Sequence, residues 1–250
     1  MSVRVYLLET KYELIKLLRL PAFLIPTLGF PLMFYVLFGL LMGGSSGGRA
    51  STYLVATYGA FGVIGISLFG IGAGVATERG QGWLSVKRAS PMPLAAYFFA
   101  KYVMTVALSA VLLVMLGVFA ISFGHVHLAP SQWLGLLLAE TLGAIPFCAA
   151  GLAVGYLAGP NSAIAVINAI HLPTAFLSGL FIPAEMLPSY LQKFAHWLPQ
   201  YHLAHLGLAA IGMASATEAR TNVLALVVSA VLFTALAAFA YRRDDGASYG

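Results

Sequence analysis

Six long, mostly apolar stretches divide this 250-residue chain, and short polar or turn-forming connections separate them. A helix that crosses a bilayer needs roughly 20 such residues. The chain is 60% hydrophobic and only 8% charged, against about 25% charged in a typical soluble domain. Too few charges remain to cover a water-facing surface, so the solvent for most of the chain is lipid. In lipid the backbone must satisfy itself within each segment, and stretches of this length do so as helices. The expectation is an all-α polytopic membrane protein forming one domain over residues 1–250.

The six transmembrane helices are expected at about 20–42, 52–76, 94–123, 132–158, 162–182 and 221–241. Pro21, Pro26 and Pro31 fall early in the first, where neighbouring helices can satisfy the freed carbonyls. The second is rich in glycine (Gly59, Gly62, Gly65, Gly70, Gly72, Gly74), which permits close helix approach. Gly43 to Arg49 and Gly159-Pro160-Asn161 read as turns. Residues 1–19 alternate charged and apolar groups at helical spacing, predicting an amphipathic helix on the membrane surface. They lack the cleavage pattern of a secretory signal. Residues 183–199 contain three prolines and are too broken to span, so they read as interfacial or re-entrant helices. Gln200 to Arg220 reads as a less hydrophobic lead into the last span.

With six spans both termini share a side. That side carries Arg4, Lys11, Lys16, Arg19, Arg79, Lys87, Arg88, Lys101, Arg242 and Arg243, against Arg49, Lys193 and Arg220 on the other. Basic residues favour the cytoplasmic side. Both termini are therefore expected in the cytoplasm of a cell (inner or plasma) membrane, with 183–199 facing outward. The net charge of +5 is spread along the chain and forms no nucleic-acid-binding patch. The single Cys148 excludes an intrachain disulfide.

The stretch Glu78–Pro93 stands out among the connections. It carries Glu78, Arg79, Lys87 and Arg88, an apolar cluster of Trp83, Leu84 and Val86, and Ser90-Pro91, which ends any helix there. It reads as a handle for something outside the membrane. The chain has no phosphate-binding loop, no CxxC and no HExxH. No catalytic residue, metal ligand set or cofactor is expected in it. His125 and His127 have metal-like spacing but no third ligand nearby. Glu140 lies inside the fourth span. It sits near the headgroups or hydrogen-bonds another helix, or else handles substrate or protons. Asn161, Asn168, His171 and Ser178 share one helical face, with Thr174 beside it. That face either bonds to another helix or lines a pathway or subunit interface. Phe34, Phe38, Tyr58 and Phe61 are aromatic candidates for a pathway surface among many that pack.

Two stretches together resemble the permease subunits of ABC-2-type ABC transporters. The first has Glu78-Arg79, Gly82, Leu84, Ser90-Pro91 and Lys101; the second has Gly179, Pro183 and Pro188, with Pro199 near its end. The resemblance covers essentially the whole chain and implies the ABC-2 (type V exporter) fold. It makes 1–19 the cytoplasmic elbow helix, 78–93 the coupling segment and 183–199, with Glu185, the outer re-entrant segment. The helix over Gly82–Ala89 would dock in a cleft of a separate ATP-binding subunit, whose acidic character Lys87 and Arg88 would match. It also implies two ATP-binding subunits carrying ATP and Mg, and a second permease chain, forming a homodimer.

The function so implied is the substrate pathway of an exporter for a hydrophobic or amphiphilic compound, drug- or lipid-like, as in multidrug resistance. Export of lipid-linked glycans is an alternative within the family. A histidine-using intramembrane enzyme or haem-handling protein, built on His171, Glu140 and the outer histidines, is the alternative outside it.

Overall fold

The computed structural model describes residues 3–41, 48–90 and 92–243, and no strand occurs among them. Pro91, Asp244, Asp245 and the turn residues up to Gly47 lie outside the described residues. The helices are α1 (Val3–Leu18), α2 (Pro21–Phe34, running on as a π-helix over Tyr35–Leu41) and α3 (Arg49–Gly65). A π-helical stretch, Ile66–Ala73, carries α3 on into α4 (Gly74–Gly80). Then come α5 (Trp83–Ala89), α6 (Leu94–Ser122), α7 (Pro130–Gly143), α8 (Ile145–Leu157) and α9 (Pro160–Leu177). The chain closes with α10 (Ser189–Ala195), α11 (Pro199–Ala210) and α12 (Ala219–Arg243).

Five helical stretches among the described residues are long and apolar enough to cross a membrane: Pro21–Leu41, Arg49–Gly80, Ala95–Ser122, Pro130–Leu157 and Ala219–Arg243. The chain is thus a multi-pass membrane protein. The expected fifth span, 162–182, corresponds to α9, which stops at Leu177 and is not among the five. Asn161, Asn168, His171 and Pro173 dilute its apolar content. The second span runs on to Gly80, so Glu78 and Arg79 belong to its last turn and not to a connection. The fourth is interrupted at Ala144, where Pro146 in the first turn of α8 removes a backbone donor.

The helix α3 and its π-helical continuation form the axis of the bundle, buried along most of their length and contributing to all three large apolar clusters. Glycine makes the closest packing possible. A Cβ on Gly155 would lie 2.9 Å from the Gly72 carbonyl oxygen, and one on Gly151 would lie 2.8 Å from that of Ser67. The α8 backbone therefore rests directly on the π-helical stretch. By contrast, Val111, Val114, Val118 and Ile121 of α6 and Val227, Val228, Val231 and Leu232 of α12 are exposed. An apolar exterior suits hydrocarbon.

The segment after α9 is broken into short helical pieces, as its prolines predict. Each proline sits at or just before a helix start: Pro183 before the 3-10 turn Ala184–Met186, Pro188 before α10, and Pro199 as the first residue of α11. Gly179 adopts φ of 84°, and its carbonyl accepts a bond of 2.9 Å from the Tyr53 hydroxyl. The Glu185 carbonyl accepts one of 3.0 Å from the Gln192 amide. Beyond 199 the chain does not lead loosely into the last span. Helix α11 is buried among α3, α7 and α12, with Gln200, His202, Leu203 and Gly207 inside. Two of its polar side chains are paired: Gln200 Nε2 donates to Thr174 Oγ1 at 2.8 Å, and the two ring nitrogens of His202 meet Asn222 Oδ1 and the His196 carbonyl at 2.9 Å each. His205 instead stacks on the Tyr201 ring at 4.0 Å, and its Nδ1 has no hydrogen-bond partner among the described residues.

Candidate coupling site

A compact group of charges lies where α1, α4, α5 and α6 meet. Lys101, in the second turn of α6, is 2% exposed; its Nζ lies 2.6 Å from Glu78 Oε1 and 2.9 Å from Glu13 Oε2. Glu78 also bonds Lys16 of α1 and accepts a bond of 2.7 Å from the Tyr97 hydroxyl. Lys87 of α5 reaches back to Glu9 at 2.5 Å and to Glu13 at 3.7 Å, and its ammonium lies 4.4 Å from the centre of the Tyr97 ring. Three carboxylates thus face three ammonium groups, and the set is neutral as a whole. Buried charges persist only when paired and hydrogen-bonded in this way.

The charges that looked like a handle are therefore mostly internal. Glu78 and Arg79 are each 5% exposed. The Arg79 guanidinium bonds the Tyr156 and Ala158 carbonyls, the latter at 2.9 Å, and so caps the C-terminus of α8. Gly80 packs on Pro160, which a Cβ would meet at 2.4 Å. Lys87 reaches back to Glu9 and Glu13 while its side chain stays 27% exposed; the side chain of Arg88, its companion in the expected match to an acidic cleft, lies outside the described residues. Among the described side chains of α5, the large ones presented outward are apolar: Trp83 is 56% exposed and Val86 61%, while Leu84 is buried.

Local sequence explains this posture. Gly82 sits at φ of 76°, a left-handed turn that suits glycine, and starts α5 directly after α4. Ser90 leaves the helix in an extended conformation, as a residue before proline does. Its hydroxyl donates to the Lys87 carbonyl at 2.8 Å. Helix α1 turns Glu9, Glu13 and Leu17 toward the protein and leaves Val3, Leu7 and Leu18 exposed. The outward side of α1 thus mixes apolar Val3, Leu7 and Leu18 with basic Arg4 and Lys11, while its acids Glu9 and Glu13 turn inward. The contribution of Glu9, Glu13 and Lys16 was missed from sequence. The available signal was Lys101, a lysine inside an apolar span that needs a buried partner.

The remaining candidates fall elsewhere. A cavity of about 500 Å³ opens between α2, α3 with its π-helical continuation, and α9. Phe34, Phe61, Asn168 and His171 line it, and the His171 ring stacks on Phe61 at 4.8 Å. Phe38 and Tyr58 touch Phe34 at ring distances of 6.3 and 6.2 Å but do not line the cavity. The polar stripe on α9 does not turn inward as one face. Asn161 and Asn168 are exposed, and the buried edge is Ala163, Ile167, His171 and Ala175. Ser178 is buried and bonds the Ala175 carbonyl at 3.3 Å. Glu140 is fully buried against α3 and α11, and neither of its carboxyl oxygens is hydrogen-bonded to another helix among the described residues. Among the described residues no group of three or more His, Cys, Asp or Glu side chains is arranged to hold a metal.

A bundle of apolar helices carrying a short helix on an internal charge cluster is the architecture of a multi-pass membrane protein. The ABC-2 type transporter family profile matches residues 5–211, and the chain belongs to that family. It is 25% identical over 235 residues to a protein of Bacillus subtilis (strain 168) that bears the provisional name transport permease YvfS, covering 93% of this chain and 95% of that one. Membership makes the chain a permease of an ABC transporter, a class that works with an ATP-binding subunit.

Proposed function

We propose that this chain forms the substrate pathway of an exporter for a hydrophobic or amphiphilic compound, drug- or lipid-like. In this reading α9 is the fifth of six spans, both termini are cytoplasmic, and two ATP-binding subunits hold ATP and Mg. A second copy of the chain completes the pathway. The carrying observation is the construction of α5, an apolar tip of Trp83 and Val86 anchored through Lys87 to Glu9 and Glu13. Through Glu13, Lys101 and Glu78 that anchor is continuous with α1, α4 and α6. A push on the tip therefore reaches α3, because α4 continues it without a break. ATP binding acts by favouring one of two states of the pair.

The cavity supports the substrate class. Its lining is dominated by Phe23, Phe30, Phe34, Phe61 and Phe69, with few polar groups, as an apolar ligand requires. A lipid-linked glycan would need more hydrogen-bonding groups than Thr27, Asn168 and His171 provide. The exposed Asn161 and Asn168 on α9 support a covering second copy, since amides are costly against lipid tails. The test is co-expression with the ATP-binding subunit, followed by ATPase assays in lipid with amphiphilic cations, phospholipids and lipid-linked glycans. Stimulation by the first two classes is expected, and lost when Phe61→Ala is combined with His171→Ala. Stimulation by glycans alone would overturn the substrate class.

A further inference from the structure

Glu140 is the one strongly polar side chain of α7 that the coupling site and the cavity leave unused. It lies ten residues along from Pro130, and Gly59 lies ten along from Arg49, so both sit about 15 Å from their helix starts at ~1.5 Å per residue. Its side chain has no exposed surface. Two glycines make the space it occupies. A Cβ on Gly59 would lie 2.5 Å from Oε2, and a Cβ on Gly207 would lie 3.0 Å from Oε1. Besides Glu140, what lies closest to these two glycine positions is apolar: Leu113 of α6 beside Gly59, and Leu136 of α7 and Ala56 of α3 beside Gly207. Neither carboxyl oxygen has a hydrogen-bond partner among the described residues.

An unpaired carboxylate in such a place is far more costly than a neutral acid, and a buried acid without a partner neutralises. Among the described residues no amine or guanidinium bonds either oxygen, and no group of three or more His, Cys, Asp or Glu side chains is arranged to hold a metal there. A proton fits. Three walls belong to long helices, and the fourth, α11, is short. Helix α11 ends at Ala210, followed by Gly212 at φ of 79°, and Gln132 Nε2 ties its end to α7 through the Ile211 carbonyl at 2.8 Å.

We propose that Glu140 is a proton-binding site gated by α11. It holds its proton while α11 is seated and exchanges it with water when α11 lifts from α7 and α3. The only bond made or broken is the O–H bond, between the carboxyl and water. The inference does not depend on the substrate or on the ATP-binding subunit, so its failure leaves the proposed function standing.

The experiment is infrared difference spectroscopy of the chain in lipid bilayers, wild type against Glu140→Gln, in H₂O and D₂O at pH 7. The expected result is a protonated-carboxyl stretch that is absent from the variant and shifts to lower wavenumber in D₂O. Gating is read in Gly135→Cys/Ala210→Cys. A Cβ at 135 would lie 3.5 Å from the Ala210 Cβ, within the range a disulfide bridges. Deuterium exchange at Glu140 should be at least about tenfold slower in the oxidised form than after dithiothreitol, because the opening it needs is blocked. A carboxylate signal at Glu140 in place of the acid, or equal exchange in both forms, overturns the proposal. Should Glu140→Gln fail to insert, an apolar carbodiimide on the otherwise native chain gives the same reading. An adduct on Glu140, found by mass spectrometry and suppressed by the oxidised lock, is expected. No adduct in either form overturns the proposal.

Discussion

Lys101 sits among apolar residues near the start of a membrane helix and is held by Glu13 and Glu78, from two other helices. Lys101→Met leaves two carboxylates facing each other without their shared counterion. Breaking a buried pair by removing one partner costs about 3–5 kcal/mol, read as a fall in the detergent unfolding midpoint. Adding Glu78→Gln should recover part of that loss, a coupling that a double-mutant cycle measures. Gly82 gives a contrasting case. Nothing lies within 4 Å of where its Cβ would be, so Gly82→Ala costs backbone strain alone, about 1–2 kcal/mol, and Gly82→Asn costs less. The charges of this site were legible in the sequence, but their pairing was not. Lys101 and Glu13 are 88 positions apart, and Lys16 and Glu78 are 62 apart. No local pattern reports such a contact.

At the scale of elements, the long helices were legible because their apolar runs exceed what any other structure can hide. Helix α11 was not. Gln200, His202 and His205 lower its apolar content, and tertiary partners, Thr174 for Gln200 and Asn222 for His202, make the burial of the first two tolerable. The glycines of the second span were legible as close-approach sites. Their counterparts Gly151 and Gly155 on α8 carried no separate signal. Gly155→Ala sets a Cβ 2.9 Å from the Gly72 carbonyl oxygen and 2.8 Å from Val75 Cβ, and a backbone cannot swing aside as a side-chain tip can. The cost expected from overpacking is about 1–3 kcal/mol. A lowered unfolding midpoint in Gly155→Ala, with Gly29→Ala near neutral because its Cβ meets nothing within 4 Å, checks the account.

At the scale of the whole molecule, α3 and its continuation into α4 run from the aromatic cavity, lined by Phe61 and Phe69, to the charge cluster at Glu78. The family was legible from two motifs in the right order, because those motifs fix turns and helix ends. The direction in which Lys87 points was not, since the same basic residue suits a docking face or an internal bridge. The central claim is that the partner grips the apolar tip of α5 while the charges behind it transmit the movement. The most direct measurement is ATPase coupling in liposomes holding the permease with its ATP-binding subunit, comparing Trp83→Glu with wild type at matched folded protein. The account predicts that Trp83→Glu stays folded, because its side chain is mostly exposed, yet loses co-purification of the ATP-binding subunit and substrate-stimulated hydrolysis. Full stimulation and normal co-purification in that variant would contradict it.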